Sequence, residues 1–349
     1  MARFRGQALT VALLLATAGI WWTVNRHFPL PHWLLWGVLA SWLASALWLA
    51  SCAAVGWLVV QRLARDLGWL ERLVIAIPLG VLTFAWCTFL LGLAGGLGRA
   101  AFFLLPALFL LTLATSTARR DLKRAYRHRR ALFEHAPVLR SRLALAAIAF
   151  GTIGLLLTYV PILTPENIQH DARWYHLPIA QQYSSSGRIE PFAEGWILGT
   201  YPHLASLLYC WALTAPVGIL GRLLLCAHLE YLLFLYTLAA IPVTIRALLG
   251  QRAFAGASWS WAAFFLYPGI LVYDSNLSTG ADHVAAIWAP AGLLLVLRLW
   301  TSADLRRRSL SRKAGLLGAV AGGAALTKYS AICAAAPLLI GLVWCCIRP

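Results

Sequence analysis

Ten apolar runs close to membrane-helix length divide this chain, at positions 8–24, 33–60, 73–94, 100–117, 143–163, 223–245, 257–275, 282–300, 314–328 and 330–347. A helix needs about 20 apolar residues to cross the hydrocarbon of a bilayer. Lipid offers backbone amides no partners, so runs of this length must satisfy their own hydrogen bonds as helices. Composition agrees: 61% of the residues are hydrophobic and 12% charged, against roughly half and a quarter in soluble domains. The expected fold class is an all-α polytopic membrane protein of about ten transmembrane helices.

The net charge is +17, but the cations sit in short loops between apolar runs. No nucleic-acid-binding motif accompanies them, which argues against nucleic acid as a partner. The basic loops are 62–72, 119–142, 246–252 and 298–313, the strongest being RRDLKRAYRHRR followed by Arg140 and Arg142. The positive-inside bias places all four in the cytoplasm, with Arg3 and Arg5. The N-terminus resembles a signal peptide but lacks a small-residue cleavage site and leads into further spans, so an uncleaved first helix is expected. All seven cysteines fall inside apolar segments without metal-ligand spacing and read as small buried hydrophobes.

Parity fixes the rest of the topology. With the N-terminus in the cytoplasm, four helices return the chain inside and the fifth delivers residues 164–202 to the outer face. An eleventh apolar segment, 203–221, cannot cross as well, because two basic loops would then lie outside. It begins at Tyr201-Pro202-His203 and is broken by Pro216 and Gly218, which suits a re-entrant or juxtamembrane helix held against protein. The chain thus divides into a four-helix membrane region (1–118), a basic cytoplasmic loop (119–142) and a membrane core (143–349).

The outer loop is the one long polar interruption, carrying Glu166, His170, Asp171, Arg173, His176, Arg188, Glu190 and Glu194, with His203 just beyond. Positions 172–186 are expected to form an amphipathic helix lying on the membrane, with Trp174, Leu177, Ile179, Ala180 and Tyr183 as its apolar face and Pro178 as its weak point. Asp171 would stand at its N-terminal end, as general base on a hydroxyl acceptor or as a holder of a hard divalent cation such as Mg or Mn. The plainer reading is a helix cap. His170, His176 and His203 lack the i, i+4 spacing of a zinc helix, so no metal ligand is assigned among them. His203 reads as a substrate-positioning group, and Arg173 either pairs with a phosphate or snorkels to headgroups. The loop acids, Glu166 included, are either partners of Asp171 or solvated.

Two charges outside the loop belong on the same side. Asp282 opens a helix after the outer turn that contains Tyr273-Asp274-Ser275-Asn276, and membrane-edge ionisable residues are functional candidates. Lys328 is the only charged residue between Lys313 and Arg348; fifteen residues of helix put it about 22 Å from the cytoplasmic edge. It is either set for a lipid phosphate or snorkels at a helix end.

Together these segments resemble a known pattern. An outer loop reads Asp-Ala-x-x-Tyr-His-Leu-Pro-x-Ala-x-x-Tyr-x-x-x-Gly-x-Ile from Asp171 to Ile189. A Tyr-Pro-His-Leu helix follows, then an Ala-Asp-His-Val turn, then a glycine-rich run ending Ala-Leu-Thr-Lys-Tyr at Tyr329. In this order, over roughly residues 143–349, they resemble the GT-C superfamily of polytopic glycosyltransferases, near its protein mannosyltransferase and aminoarabinose transferase-like branch. The resemblance implies an inverting transferase of the plasma (inner) membrane that takes a sugar from a polyprenyl-phosphate carrier on the outer face. It implies Asp171 as the catalytic or metal-associated acid and maps Asp282 and Lys328 onto the family's outer acid and lysine. The expected catalytic pair is Asp171 and Asp282, with Glu166, His170, Arg173, His176, His203 and Lys328 binding substrate. The chain departs from relatives in lacking paired acids at position 171, in carrying four extra spans before the core, and in ending directly after a span. That ending suits a fragment, or a subunit that needs a partner. The alternatives are a transporter or flippase of a lipid-linked saccharide, for which repeated halves are expected and none is seen, and a non-catalytic assembly subunit in which Asp171 is dispensable.

Overall fold

The structure is a computed structural model that describes residues 2–115, 120, 142–164, 170–192, 195–253, 264–269, 277, 279–301, 307–331, 333, 336–337, 339–341 and 343. Every regular element among them is helical: α1 (Ala2–His27), α2 (Leu34–Leu63), α3 (Trp69–Leu93), α4 (Arg99–Leu111), α5 (Arg142–Tyr159), α6 (Leu177–Ser186), α7 (Leu204–Leu213), α8 (Ile219–Ala253), α9 (Asp282–Ala286), α10 (Trp288–Thr301) and α11 (Arg307–Thr327). The protein is an all-α, multi-pass membrane protein.

Ten spans were expected; among the described residues five stretches are long and apolar enough to cross a membrane, at Leu34–Leu63, Trp69–Leu93, Arg142–Leu163, Ile219–Leu249 and Asp282–Thr301. The difference has physical causes. Arg99–Ala114 is a shorter apolar helix, reaching only about 24 Å of a hydrocarbon core about 30 Å thick. The first seven residues of α11, RRSLSRK, are strongly basic, which leaves an apolar part of about 21 Å. The runs at 257–275 and 330–347 fall largely outside the described residues, and α1 covers the first run without being one of the five. The basic loop 119–142 lies outside the described residues apart from Arg120 and Arg142.

The segment after the outer loop becomes α7, ten residues long with every one of them buried. At about 15 Å it is far too short to cross, and its complete burial shows why it is apolar throughout: it plugs the bundle instead of meeting lipid. Tyr209 of α7 donates its hydroxyl to the Gly280 carbonyl at 2.5 Å, and Trp211 stacks on Phe102. One continuous core runs from Trp48, Cys52 and Phe84 through Tyr209 and Trp211 to Trp288, Leu317 and Val320. It therefore takes side chains from both sides of the basic loop. The two longest early spans, α2 and α3, approach at glycines: a Cβ on Gly80 would overlap the Cys52 carbonyl, and one on Gly56 the Ala76 carbonyl. Small residues at such crossings let backbones meet where lipid supplies no hydrophobic drive.

At one end of the bundle the turn between α2 and α3 meets the ends of α10 and α11. Glu71 pairs with Arg298, and Asp66 with Lys313, whose side chain is fully buried. The loops 62–72 and 298–313, read from charge as sharing a side, are thus in contact. The polar loop, residues 279–281 before α9 and the far end of α11 gather at the other end.

Candidate functional site

The polar loop folds for reasons local to its sequence. Residues Ala172–His176 form a π-helical turn that passes directly into α6. Pro178 supplies no N–H, and its ring would clash with the carbonyl four residues back, so the turn before it opens to wider i, i+5 spacing. The extra residue rotates the helix face. Tyr175 and His176 turn inward and are buried, while Trp174, expected on the apolar face, is 58% exposed. Leu177, Ile179, Ala180 and Tyr183 are buried as the pattern requires, packed against α7 rather than lying on a lipid surface. The helix ends at Gly187, whose φ of +73° is the left-handed conformation favoured at a helix C-terminus.

Three charges distant in sequence meet here. Lys328, one residue past α11, reaches Asp282 Oδ1 with its Nζ at 2.8 Å and lies 3.6 Å from Asp171 Oδ2. Both carboxylates stay partly open, at 44% exposure for Asp171 and 62% for Asp282. Asp171 precedes the π-turn with helical backbone angles and makes no side-chain cap, so the capping role is not what occupies it. The Tyr175 hydroxyl donates to Asp171 Oδ2 at 3.3 Å. Lys328 is held by its neighbours on either side. Trp288 donates its indole N–H to Thr327 Oγ at 2.9 Å, and the Tyr329 hydroxyl donates to the Thr200 carbonyl at 3.2 Å.

A cavity of about 320 Å³ opens beside this triad, walled by His170, Asp171, Trp174, Tyr175, His176, Leu198, Tyr201, Thr327, Lys328 and Tyr329 among others. That is the small end of the ligand-pocket range of about 300–1,000 Å³. Its walls combine aromatic faces with convergent charge. His176 shares a hydrogen bond between its Nδ1 and Ser206 Oγ at 3.2 Å, whereas among the described residues its buried Nε2 has no partner. Burial lowers the His176 imidazole to about 4, the nearby Asp171 opposing that trend. Burial raises the Tyr175 phenol far above its usual range, with Asp171 adding to it. At neutral pH both are uncharged hydrogen-bonding groups.

The His176 value sets a stability test. The folded ring titrates near 4 and an unfolded one near 6.5, so its contribution is complete above pH 6.5 and is lost as pH falls toward 4, roughly 3 kcal/mol over that window. His203, also lowered by burial, acts with the same sign. Thermal unfolding in detergent between pH 7.5 and 4 should show the melting temperature falling with acid in the native protein and falling less in His176→Asn.

The remaining candidates separate. His170 lines the cavity and packs against the Trp174 ring at 4.7 Å. Arg173 is exposed on the outer side of the π-turn and is not part of the cavity wall. His203 lies beyond the short helix Ile197–Thr200, hydrogen-bonded through Nδ1 to the Tyr183 hydroxyl at 3.2 Å. There it edges a second, apolar cavity with Leu82, Trp86, Phe89, Leu207 and Leu326. Glu190 pairs with Arg188 at 3.5 Å on the rim of a third, wider groove. Glu166, Glu194 and Asp274 lie outside the described residues.

Sequence reasoning passed over Tyr175, Tyr201, Ser206, Tyr329 and Glu230. Tyr175 follows Asp171 by one helical turn, a spacing that could have paired them. Glu230 was legible too: it is a lone carboxylate within a 31-residue apolar span, the kind of residue that marks a constraint. Its side chain is fully buried, accepts the Thr279 N–H at 2.6 Å and contacts His283 Nδ1 at 3.0 Å, so it pins the turn that leads into Asp282. Compared with protein-family models, with curated proteins and with solved structures, the chain finds no match in any of the three.

Proposed function

We propose that this protein transfers a sugar from a polyprenyl-phosphate carrier to a hydroxyl acceptor, in the manner of the GT-C enzymes it resembles. The carrying observation is the convergence of Asp171, Asp282 and Lys328 beside a small aromatic-walled cavity. Such a site offers a carboxylate for a hydroxyl proton and an ammonium for a phosphate. Aromatic faces at Trp174, Tyr175, Tyr201 and Tyr329 suit the C–H face of a sugar ring, and the neutral His176 side chain in the same wall suits one of its hydroxyls. The neighbouring apolar cavity at Leu82, Trp86, Phe89, Leu204 and Leu207 suits the first prenyl units of the carrier.

In the proposed step the acceptor hydroxyl gives its proton to Asp171 and forms a bond to the anomeric carbon. The bond from that carbon to the phosphate oxygen breaks with inversion, and its electron pair leaves with the carrier phosphate, toward Lys328. Asp282 holds Lys328 in place. On this reading the site end faces outward from the plasma (inner) membrane, and the Asp66–Lys313 end, with the N-terminus, faces the cytoplasm.

The test is transfer of labelled sugar from a panel of synthetic polyprenyl-phosphate sugars in membranes containing the full chain, against membranes lacking it. Label appearing in an acceptor only when the protein is present supports the proposal. No label above background from any donor, with the protein verifiably inserted, removes it in favour of an assembly subunit.

A further inference from the structure

Where two carboxylates converge beside a site for a phosphate, a divalent cation is the usual bridge, binding both acids and the phosphate oxygens. The residues here do not fit one. Asp171 and Asp282 converge on Lys328 instead, and among the described residues no group of three His, Cys, Asp or Glu side chains is assembled as a metal seat. Among the described residues a metal between the two aspartates would have these two carboxylates with water completing its shell, and it would lie against an ammonium that repels it.

We infer that Lys328 is the built-in cation of this site, standing where a divalent metal would otherwise bind. This rests on the donor reading given above, because it assigns the lysine a phosphate to face. An ammonium carries three N–H donors. One is donated to Asp282 at 2.8 Å; the charge also faces Asp171 3.6 Å away, beyond hydrogen-bond length, which leaves donors for the ligand. A bridging Mg would do the same three things, but it would dissociate, whereas Lys328 is tethered. Its place in the chain is held by the Trp288–Thr327 bond before it and by the Tyr329–Thr200 bond after it. A second feature independently marks the cavity as a ligand site. His176, 1% exposed, is in its wall, and among the described residues its buried Nε2 has no hydrogen-bond partner, a polar atom whose burial is costly unless a ligand completes it.

Two consequences follow: transfer needs no added divalent metal, and removing the lysine's charge turns the two aspartates into a metal site. The decisive measurement uses Mn2+ alone, followed by electron paramagnetic resonance, on the purified full chain in detergent after chelation. The native protein and Lys328→Arg should take up no Mn2+ that depends on Asp171. Lys328→Met should gain about one Mn2+ per chain and lose it when Asp171→Asn or Asp282→Asn is added. Thermal unfolding and gel filtration of each variant show that the fold is intact. Stoichiometric Mn2+ on the native protein that disappears in Asp171→Asn overturns the inference, and so does a folded Lys328→Met that gains none. The readout involves no sugar. If the Mn2+ pattern holds while no polyprenyl-phosphate donor is used, the donor reading falls and the lysine's role stands. If transfer occurs while the native site binds Mn2+, the reverse holds.

Discussion

Asp171→Asn should lower the initial rate of sugar transfer by about 10²–10⁴-fold, the usual contribution of a positioned general base, with little change in the amount of folded protein. Asparagine keeps the volume of the side chain and an oxygen that accepts the Tyr175 hydroxyl, so the bond at 3.3 Å can survive. What goes is the charge and the proton-accepting power. Lys328 remains anchored by its shorter contact to Asp282, so the cavity keeps its shape and the loss falls on kcat. Asp282→Asn should act differently. It loosens the tighter of the two restraints on Lys328 and so weakens the hold on the donor phosphate, raising KM for the lipid-linked sugar at least as much as it lowers kcat. Because both acids contact one lysine, their effects are coupled, and the double variant should lose less than the product of the two single losses. Expression-matched membranes and a donor titration measure all three. A rate for Asp171→Asn within about twofold of native would withdraw the base role, since no catalytic proton transfer is worth so little.

These expectations draw on a fold that the sequence announced unevenly. The apolar runs were plain because lipid demands long unbroken helices, and the shared side of loops 62–72 and 298–313 was plain because charge obeys topology. Asp282 and Lys328 stood out for the same reason: a charge at a membrane edge is costly and therefore placed. The span count was less legible, since α4 and α11 look continuous in composition while their apolar lengths fall short of the hydrocarbon. Trp174 pointed the wrong way because the pattern was read at 3.6 residues per turn, and Pro178 widens the turn before it. Tyr201, Ser206 and Tyr329 reach the site through tertiary contacts that no spacing encodes. His203, close to the triad in motif order, is not in the cavity wall although Tyr201 and Pro202 just before it are; its side chain edges the second, apolar cavity instead.

Glu230→Leu should cost the protein both stability and activity, although Glu230 touches no substrate. Thr279 adopts a φ of +65°, a conformation that a β-branched residue rarely adopts and that costs about 1–3 kcal/mol. Two buried side chains hold the turn in that shape: the Glu230 carboxylate accepts the Thr279 N–H at 2.6 Å, and the Tyr209 hydroxyl donates to the Gly280 carbonyl at 2.5 Å. Leucine at 230 removes an acceptor from a site that no water reaches readily, a loss of about 1–3 kcal/mol before the effect on His283 is counted. The melting temperature in detergent should fall by several degrees. The relaxed turn also displaces Asp282, three residues after Thr279, so the grip on Lys328 loosens and KM for the donor rises. Glu230→Gln keeps one accepting oxygen and should recover most of the stability. Adding Thr279→Gly to Glu230→Leu separates the causes, because glycine accepts positive φ without strain. Recovery of activity by that double variant would show that Glu230 acts by holding the turn. No recovery, with the protein still folded, would place its effect in the contact with His283 instead.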